Sequence, residues 1–328
     1  MILAAAGYRD YVEKHIDKII DDAFLAFNSA NVLTHIPNNK GKAILGRGTV
    51  SDNIVRKHKV LDIANGQQSV DVDVLEVESF RAQFHEKYVP ELMEDSYYGY
   101  LRTAGQNPED FPFEAYVLML LAKSIRQWHE RQLWQSVKND ATDNGTDLFD
   151  GLLKQVSDAV AANDVTPISF GTPYRRKNQT DVAPAGFTAM VELTEELYTN
   201  GIPDAWKDAG GVNIYMSRRN KRLYNQDYRN AYGIDPVVSK QYNIERTTID
   251  LSEGEDAVNI IGVSGMGASN RIIMTPQANA VYTYDVQPDM TTFRMQYILN
   301  VLHIFGAFRV GAEFLIKNDD WMAVNELV

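Results

Sequence analysis

Two stretches of the chain carry hydrophobic residues at the spacing of an α-helix. The first covers residues 8–28 and has Asp and Lys on its other face, a pattern typical of a helix that buries one side. The second runs from about Phe113 to Val137. It follows Pro108 and Pro112, and proline fits the first turn of a helix. Because Ala115–Ala122 is apolar all round, we expect this long helix to be buried on more than one side.

A different pattern, valine alternating with carboxylate, predicts a β-strand at Val70–Glu78. The stretch Ile54–Ile63 before it is basic, and Asn65-Gly66 lies between the two. Asn-Gly is typical of a tight β-hairpin turn, since both central residues of that turn adopt positive φ. This turn would place Leu61 opposite Val70 and His58 opposite Asp73.

The predicted hairpin is long, and its two arms carry opposite charge. At roughly 3.3 Å per residue, arms of this length reach about 30 Å, and a two-stranded sheet of that length is marginal alone in water. We therefore expect something else to cover the hairpin. The alternation breaks at Val74–Leu75, which predicts a β-bulge that bends the hairpin.

The rest of the chain mixes helices and strands in irregular order, which indicates an α+β fold. Helix is predicted in part of Ser79–Met93, from about Leu148, and over about Thr188–Thr199, and Ser217 should cap a helix that follows a strand at Gly211–Met216. Further strands are predicted at Asn259–Val263, Arg271–Met274, Ala280–Tyr284, Phe293–Phe305 and Ala307–Ile316, with Gly306 at a bend between the last two.

Length and composition limit the class of protein. A chain of 328 residues can form two lobes, and the Pro- and Gly-rich segment 166–186 is the best boundary between them. The absence of cysteine excludes disulfides, thiolate catalysis and cysteine-bound zinc or iron–sulfur sites. No apolar run is long enough for a membrane span or a signal peptide. The formal net charge of -12 argues against a protein whose main task is to grip nucleic acid.

Motifs for enzyme chemistry are incomplete. The segment Gly262–Gly267 lacks the Gly-Lys-Ser/Thr of a P-loop and the third glycine of a dinucleotide fingerprint, and Met266 breaks a nucleophile elbow. A loop between strands is the better interpretation. His129-Glu130 lacks the second histidine of a zinc protease helix, because position 133 is Leu. We expect His303, which lies among apolar residues, to be an ordinary core residue.

The acidic loop 139–147 stands between two predicted helices and invites comparison with a calcium-binding loop. Counting Asp140 as position 1, position 3 is Thr142 and position 12 is Gly151, where an EF-hand requires a bidentate Glu. A polar turn with Thr146 or Asp147 capping the next helix is the better interpretation. We therefore expect no metal and no cofactor.

One basic cluster falls on the helix after Ser217. Given the acidic total charge, a solvated helix face or a contact between subunits is a better interpretation of this cluster than a nucleic-acid site. Its members are Arg218, Arg219, Lys221 and Arg222.

The order of these parts resembles the major capsid proteins of tailed bacteriophages, whose fold is shared with encapsulin shells and the floor of herpesvirus capsids. The long hairpin followed by the helix Phe113–Val137 carries the resemblance, as do Leu148–Gln155, the strand–helix–turn from Val212 to Gly233, and the strands within Arg271–Tyr284. The resemblance implies an N-terminal arm (1–36), an extended hairpin loop (37–87), a peripheral domain with the spine helix (88–185), an axial domain (186–290) and return strands of the peripheral domain (291–328).

The same resemblance implies function. The chain would be a structural subunit without enzymatic activity, forming hexamers and pentamers of an icosahedral virion capsid that is assembled in the host bacterial cytoplasm and encloses double-stranded DNA through weak, non-specific contact. Portal, scaffold or cement proteins are implied partners, and a membrane is not. The hairpin contact would use Arg56, Lys57, Lys59, Leu61, Asn65, Gly66, Val70, Asp71, Val72 and Asp73, and the axial contact would use the basic cluster.

Two alternatives stay open at the level of sequence. An encapsulin-like nanocompartment shell would use the same fold. A two-lobed small-molecule enzyme would belong to a different class, and the incomplete motifs weaken it. A self-catalysed crosslink, which some relatives form, is not expected, because Lys57 and Lys59 do not match a hairpin tip.

Overall fold

The computed structural model describes residues 27–50, 70–105, 107, 113–142, 144–203, 206, 211–236, 238–241, 244–249, 258–285, 294–298 and 301–326. The predicted helix over residues 8–28 lies outside this part of the chain except for its last two residues. The Asn65-Gly66 turn and the basic arm Ile54–Ile63 lie outside it as well.

The described elements confirm an α+β architecture. The helices are α1 (Pro90–Ala104), α2 (Phe113–Gln135), α3 (Leu152–Ala162), α4 (Met190–Gly201) and α5 (Arg218–Tyr232), with short 3₁₀ turns at Ser29–Val32 and Gln277–Asn279. The strands are β1 (Thr34–Pro37), β2 (Lys42–Val50), β3 (Val70–Glu78), β4 (Phe80–Tyr88), β5 (Thr172–Tyr174), β6 (Phe187–Ala189), β7 (Val212–Ser217), β8 (Val238–Gln241), β9 (Ile244–Ile249), β10 (Val258–Val263), β11 (Ile273–Pro276), β12 (Ala280–Asp285), β13 (Arg294–Ile298), β14 (Val301–Phe314) and β15 (Ala323–Val324).

The first sheet has five strands built around β14. Its order is β1-β12-β14-β13, and β4 also pairs with β14. Even-numbered residues of β14 are buried while most odd-numbered ones are half-exposed, because successive side chains of a strand point to opposite faces. The buried face packs on α2, where Leu302 and Ile304 join Leu118 and Leu121 in one apolar cluster. The long buried helix predicted from the sequence is confirmed.

Within Ser79–Met93, the helix predicted for part of the segment is found only from Pro90, because strand β4 occupies most of it. Residues Phe80–Tyr88 form a strand, and α1 begins only at Pro90 and runs on through Glu94. The side chains of Phe80, Ala82 and Phe84 alternate with exposed ones, which is strand periodicity. The long edge of β14 pairs with this segment along its length, and that tertiary partner decides between strand and helix.

The end of the chain also differs from the prediction. The boundary between the two strands is not at Gly306. Strand β13 ends at Ile298 and β14 begins at Val301, and these two residues lie opposite each other. Gly306 sits inside a continuous strand opposite Phe84. It allows close approach of that ring rather than a bend.

The second sheet has six strands in the order β15-β11-β7-β10-β9-β8. Strands β7 and β10 are parallel, and Ser217 at the end of β7 caps α5 by accepting a hydrogen bond from the backbone N–H of Asn220. The predicted strand–cap–helix unit is confirmed. At the start of α4, the backbone N–H of Val191 donates to the buried Asp227 of α5 at 2.9 Å, and this carboxylate supplies the cap that Ala189 cannot.

One apolar cluster joins the two sheets. It includes Trp134 of α2, Tyr215 of β7, Tyr282 of β12 and Phe149, which precedes α3. The hydroxyl of Tyr215 donates to the carbonyl of Val32 at 2.9 Å, so this buried polar group is satisfied. Helix α3 begins at Leu152 with Gly151 as its N-cap, rather than at about Leu148 with Thr146 or Asp147 as the cap.

Candidate intersubunit surfaces

Strands β2 and β3 form a two-stranded hairpin sheet, separate from both larger sheets within the described residues. The partner of β3 is β2, so Val70 lies opposite Val50 and Asp73 opposite Arg47. The predicted register, with Leu61 opposite Val70 and His58 opposite Asp73, involves residues outside the described part of the chain. In the described part, β2 instead of the basic arm is the partner of β3. The sequence misled because Lys42–Val50 contains Gly46 and Gly48, which weaken its strand pattern.

The register between β2 and β3 is continuous. Leu75 lies opposite Leu45 and Val74 opposite Gly46. The bulge predicted at Val74–Leu75 is therefore absent from the described strands. The break in alternation instead places Leu75 and Val77 on one face and Val74 and Glu76 on the other, as strand periodicity requires.

The two faces of the hairpin differ in burial. On the even-numbered face, Ile44 is 69% exposed and Val74 is 63% exposed, and the register makes them diagonal neighbours, with Ile44 opposite Glu76 and Val74 opposite Gly46. We call the surface that Ile44 and Val74 form the valine face. Single exposed apolar residues are common on proteins, but two large ones that adjoin on one strand pair indicate a candidate interaction surface.

The odd-numbered face is turned toward the hairpin's own subunit at its base. Val77 is fully buried, and the Arg47 guanidinium lies 4.3 Å from the ring centroid of Trp321, a stacking arrangement in which a cation meets an aromatic face. Trp321 contacts Trp206 in turn, at 4.0 Å between ring centroids. The hairpin is thus anchored through one face while the valine face stays open.

Polar contacts fix the start of the hairpin. The Lys42 ammonium lies 2.7 Å from Glu78 and 3.0 Å from Glu76, and hydrogen bonds to these two carboxylates raise the pKa of Lys42 above its usual range. The side-chain amide of Asn39 donates to the carbonyl of Val77 at 3.0 Å, and the Ser79 hydroxyl donates to the carbonyl of Asn39 at 2.8 Å.

The basic cluster on α5 divides into exposed and buried members. Arg218, Arg219 and Arg222 are exposed. Lys221 is 3% exposed, and its ammonium donates to the carbonyl of Ile260 at 2.9 Å. Because a buried lysine that bonds its own subunit is not available to a neighbour, the prediction of a contact role is wrong for Lys221. Its aliphatic stem lies against Gly262, where an added Cβ would approach to 3.0 Å.

Of the predicted hairpin contacts, only four lie in the described part of the chain. These are Val70, Asp71, Val72 and Asp73, whose backbones pair with Arg47–Val50 of β2. The remaining predictions fall outside the described residues, namely Arg56, Lys57, Lys59, Leu61, Asn65 and Gly66. Sequence reasoning missed Ile44. Its segment contains Gly46 and Gly48, and glycine weakens a strand pattern, so the pattern there predicts no strand.

The loop after β10 has a structural role. Glu130 of α2 accepts hydrogen bonds from the Ser264 hydroxyl at 2.6 Å, the Gly265 N–H at 3.0 Å and the Ser29 N–H at 2.8 Å. One carboxylate thus joins the N-terminal segment, α2 and this loop. The interpretation as a loop between strands is confirmed for Ser264–Gly267, while Gly262 and Val263 are the last residues of β10. A Cβ at Gly265 would lie 2.0 Å from the Glu130 carbonyl oxygen.

The loop 139–147 closes on itself through a carboxylate. Asp147 accepts hydrogen bonds from the Thr142 hydroxyl at 2.6 Å and the Thr146 hydroxyl at 2.9 Å, and these two bonds lower the pKa of Asp147.

The described residues contain no group of three or more His, Asp or Glu placed to hold a metal ion. Within the same part of the chain, no helix combines the length and apolar character needed to cross a bilayer.

His303 differs from its prediction as an ordinary core residue. It is half-exposed, and its Nδ1 shares a hydrogen bond of 3.0 Å with Nε2 of His85. The reason is its odd-numbered position on β14, which turns it away from α2. Among the histidines that the structure describes, His129 is the buried one. Its Nδ1 is 3.0 Å from the carbonyl oxygen of Ile125, and burial lowers its pKa to about 4.

Comparison with known proteins finds similar folds but no close relative in sequence. No protein-family model matches the chain, and no curated protein matches it. A chain in the structure of the satellite phage P4 procapsid, which includes the size determination protein, is 9% identical with a TM-score of 0.52, covering 98% of this chain and 95% of that one. A chain of the cyanophage A-1(L) capsid asymmetric unit is 11% identical with a TM-score of 0.50, covering 93% and 92%.

The fold is therefore that of the tailed-phage major capsid proteins, with a hairpin sheet, a long buried helix and two larger sheets. Coverage above nine tenths of both chains means that the similarity extends over the whole architecture. The expectation drawn from the order of the elements is confirmed at the level of fold.

Proposed function

We propose that this protein is a structural subunit that self-assembles into hexamers and pentamers of an icosahedral capsid. The observation that carries the proposal is the valine face. It is an open apolar surface on a hairpin already anchored to its own subunit by Arg47 and Trp321. Burying each of its large aliphatic side chains against a second copy would contribute about 1.5–3 kcal/mol, enough for a few residues to hold neighbouring subunits together.

The proposed layout of the subunit keeps the domain limits given from the sequence. In it, the axial domain 186–290 gathers at the centres of hexamers and pentamers, and the exposed Arg218, Arg219 and Arg222 contact a second copy there. The hairpin within 37–87 crosses onto a neighbouring subunit. No enzymatic role is proposed, and the chain needs neither metal nor cofactor for assembly.

The proposal extends to cargo and place. The capsid encloses double-stranded DNA by weak, non-specific contact, which suits an acidic subunit because the genome must be packed and released. Portal, scaffold or cement proteins assist, and the shell forms in the host bacterial cytoplasm and persists as the virion capsid. Tight binding of purified subunits to duplex DNA at physiological salt would contradict the weak contact.

Negative-stain electron microscopy of the purified protein tests the assembly. Closed shells or rings of subunits are the expected result, and a chain that stays monomeric at high concentration would overturn the proposal. A hairpin-deleted variant gives the sharper test. Replacing residues 46–74 by Asn-Gly joins Leu45 to Leu75, which already face each other, and leaves β4 intact. We expect a folded subunit that forms no shells.

An encapsulin-like compartment is the alternative with the same fold. The two are separated by the contents of particles isolated from cells that carry the native gene neighbourhood. Nuclease-protected double-stranded DNA supports the capsid, while particles filled with one co-purifying protein and free of DNA would support the compartment.

A further inference from the structure

The first sheet presents a strongly basic face on the side away from α2. The pairing of β4 with β14 places five cationic or imidazole residues on this face. We call it the basic sheet face, and its members are Arg81, His85, Lys87, His303 and Arg309. Such a concentration is unexpected in a chain whose formal net charge is -12.

Acidic residues are almost absent from the same surface. Along the described positions of β4, β13 and the Val301–Arg309 part of β14, no Asp or Glu shares this face. The neighbouring strand β12 adds Asp285 opposite Arg309, but Asp285 is 1% exposed. Within the described residues, neither Arg81 nor Lys87 forms an ion pair. Their charge is therefore available to an outside partner.

Two cross-strand pairs bring the basic residues of the two strands together. Arg81 lies directly opposite Arg309, and Lys87 lies directly opposite His303. An anion lying across both strands would therefore contact side chains from each of them.

We propose that the basic sheet face is where the subunit contacts the phosphate backbone of packaged duplex DNA. The inference rests on the proposed function, because it locates the weak contact assigned there. Surfaces that bind nucleic acid are more polar and much more positive than contacts between proteins, whose centres are depleted in charge. On this face the exposed side chains of β4 are Arg81, Gln83, His85 and Lys87, all able to contact phosphate oxygens. Glu86 of the same strand is also exposed, but its register partner is Ile304, on the opposite face of the sheet.

The aromatic content of the face fits the same partner. Phe305 is covered by the His85 ring, with 4.0 Å between ring centroids and 25° between planes, and His85 shares its hydrogen bond with His303. The apolar ring is therefore screened by imidazole rather than offered as an anchor to another protein. The face presents cationic side chains along two paired strands, which suits contact with phosphates independent of base sequence.

Binding of a fluorescent 30-base-pair duplex to unassembled full-length protein, measured at low and at moderate salt, tests the proposal. Arg81→Glu with Lys87→Glu is expected to weaken binding at low salt by at least about tenfold and to reduce the salt slope by about two, near 0.9 per lost phosphate contact. The matched control is Lys123→Glu with Arg131→Glu, which makes the same charge change at exposed positions of α2 and should weaken binding much less. Arg81→Gln with Lys87→Gln gives a milder second variant, and circular dichroism checks the fold of each.

Equal losses in the test and control pairs would overturn the proposal, because general repulsion would then explain both. So would unchanged DNA binding, and if that variant also failed to form shells, the face would be a contact for a second copy instead. Failure of the proposed function is seen separately, as wild-type protein that never assembles under the microscope.

Discussion

The ring of Phe84 occupies the space where a side chain at Gly306 would lie. The two residues are directly opposite in the pairing of β4 with β14, and a Cβ built on Gly306 would come within 2.3 Å of the ring tip. A glycine inside a long strand is normally unfavourable. Here the aromatic ring of the opposite strand covers the gap, and the sheet can then pack flat on α2.

Gly306→Ala should therefore destabilise the subunit by about 1–3 kcal/mol, the usual cost of overpacking. Urea unfolding of the unassembled subunit measures it. Gly99→Ala is the control, since nothing lies within 4 Å of a Cβ there and alanine in an exposed helix should stabilise by up to about 1 kcal/mol. Adding Phe84→Leu should recover part of the Gly306→Ala loss, and no recovery would contradict the steric explanation.

His129 should make stability fall as the solution becomes acidic. Burial lowers its pKa to about 4 in the folded chain, while an unfolded histidine titrates near 6.5. The unfolded chain therefore binds the proton first, and stability is lost as pH falls from about 6.5 toward 4, by about 3 kcal/mol in total. His129→Phe should remove this loss of stability at acidic pH. If the free energy of unfolding of the wild type and of the variant fell in parallel between about pH 6.5 and 4, His129 would not be its cause.

Glu130→Gln should loosen the junction between the N-terminal segment, α2 and the loop after β10. The carboxylate accepts three hydrogen bonds there, and bonds to a charged acceptor are worth about 1.5–3 kcal/mol each before relaxation. We expect a loss of about 2–3 kcal/mol and faster hydrogen exchange at Ser29 and Gly265. The exposed Glu94→Gln serves as control, and unchanged protection at both amides would contradict the role.

Lys221 and Arg219 should respond oppositely to mutation. Lys221→Ala removes a buried stem and the partner of the Ile260 carbonyl, so a loss of about 2–4 kcal/mol of stability is expected. Arg219→Ala on the exposed side should change stability by less than about 0.5 kcal/mol and affect only assembly. If thermal unfolding showed a larger loss of stability for Arg219→Ala than for Lys221→Ala, the burial of Lys221 would not support the fold.

A charge on the valine face should block assembly without unfolding the subunit. Ile44→Asp places a carboxylate at a position 69% exposed in the single subunit, where it is solvated, but burying it against a second copy costs several kcal/mol. Val182→Asp, at a position 82% exposed elsewhere, is the matched control and should form normal shells. Shells from the Ile44 variant would remove this face from the proposed contact.

The sequence by itself determined the elements whose pattern is local and strong. The apolar run of α2, the unit in which Ser217 caps α5, and the valine–carboxylate alternation of β3 were all predictable, and their order pointed to the fold. The exposed position of Arg218, Arg219 and Arg222 on α5 agrees with the prediction of a solvated helix face or subunit contact for their cluster.

Only the tertiary structure decided which strand pairs with β3, whether Phe80–Tyr88 is helix or strand, and what Gly306 does. Each of these depends on a partner distant in the sequence: β2 with its two glycines, the edge of β14, and the ring of Phe84. Likewise, nothing in the spacing of Lys221 within its basic cluster shows that it is buried against Ile260. Hydrogen bonding between strands and packing across faces are non-local interactions, so local propensity could name the elements but could not choose their partners.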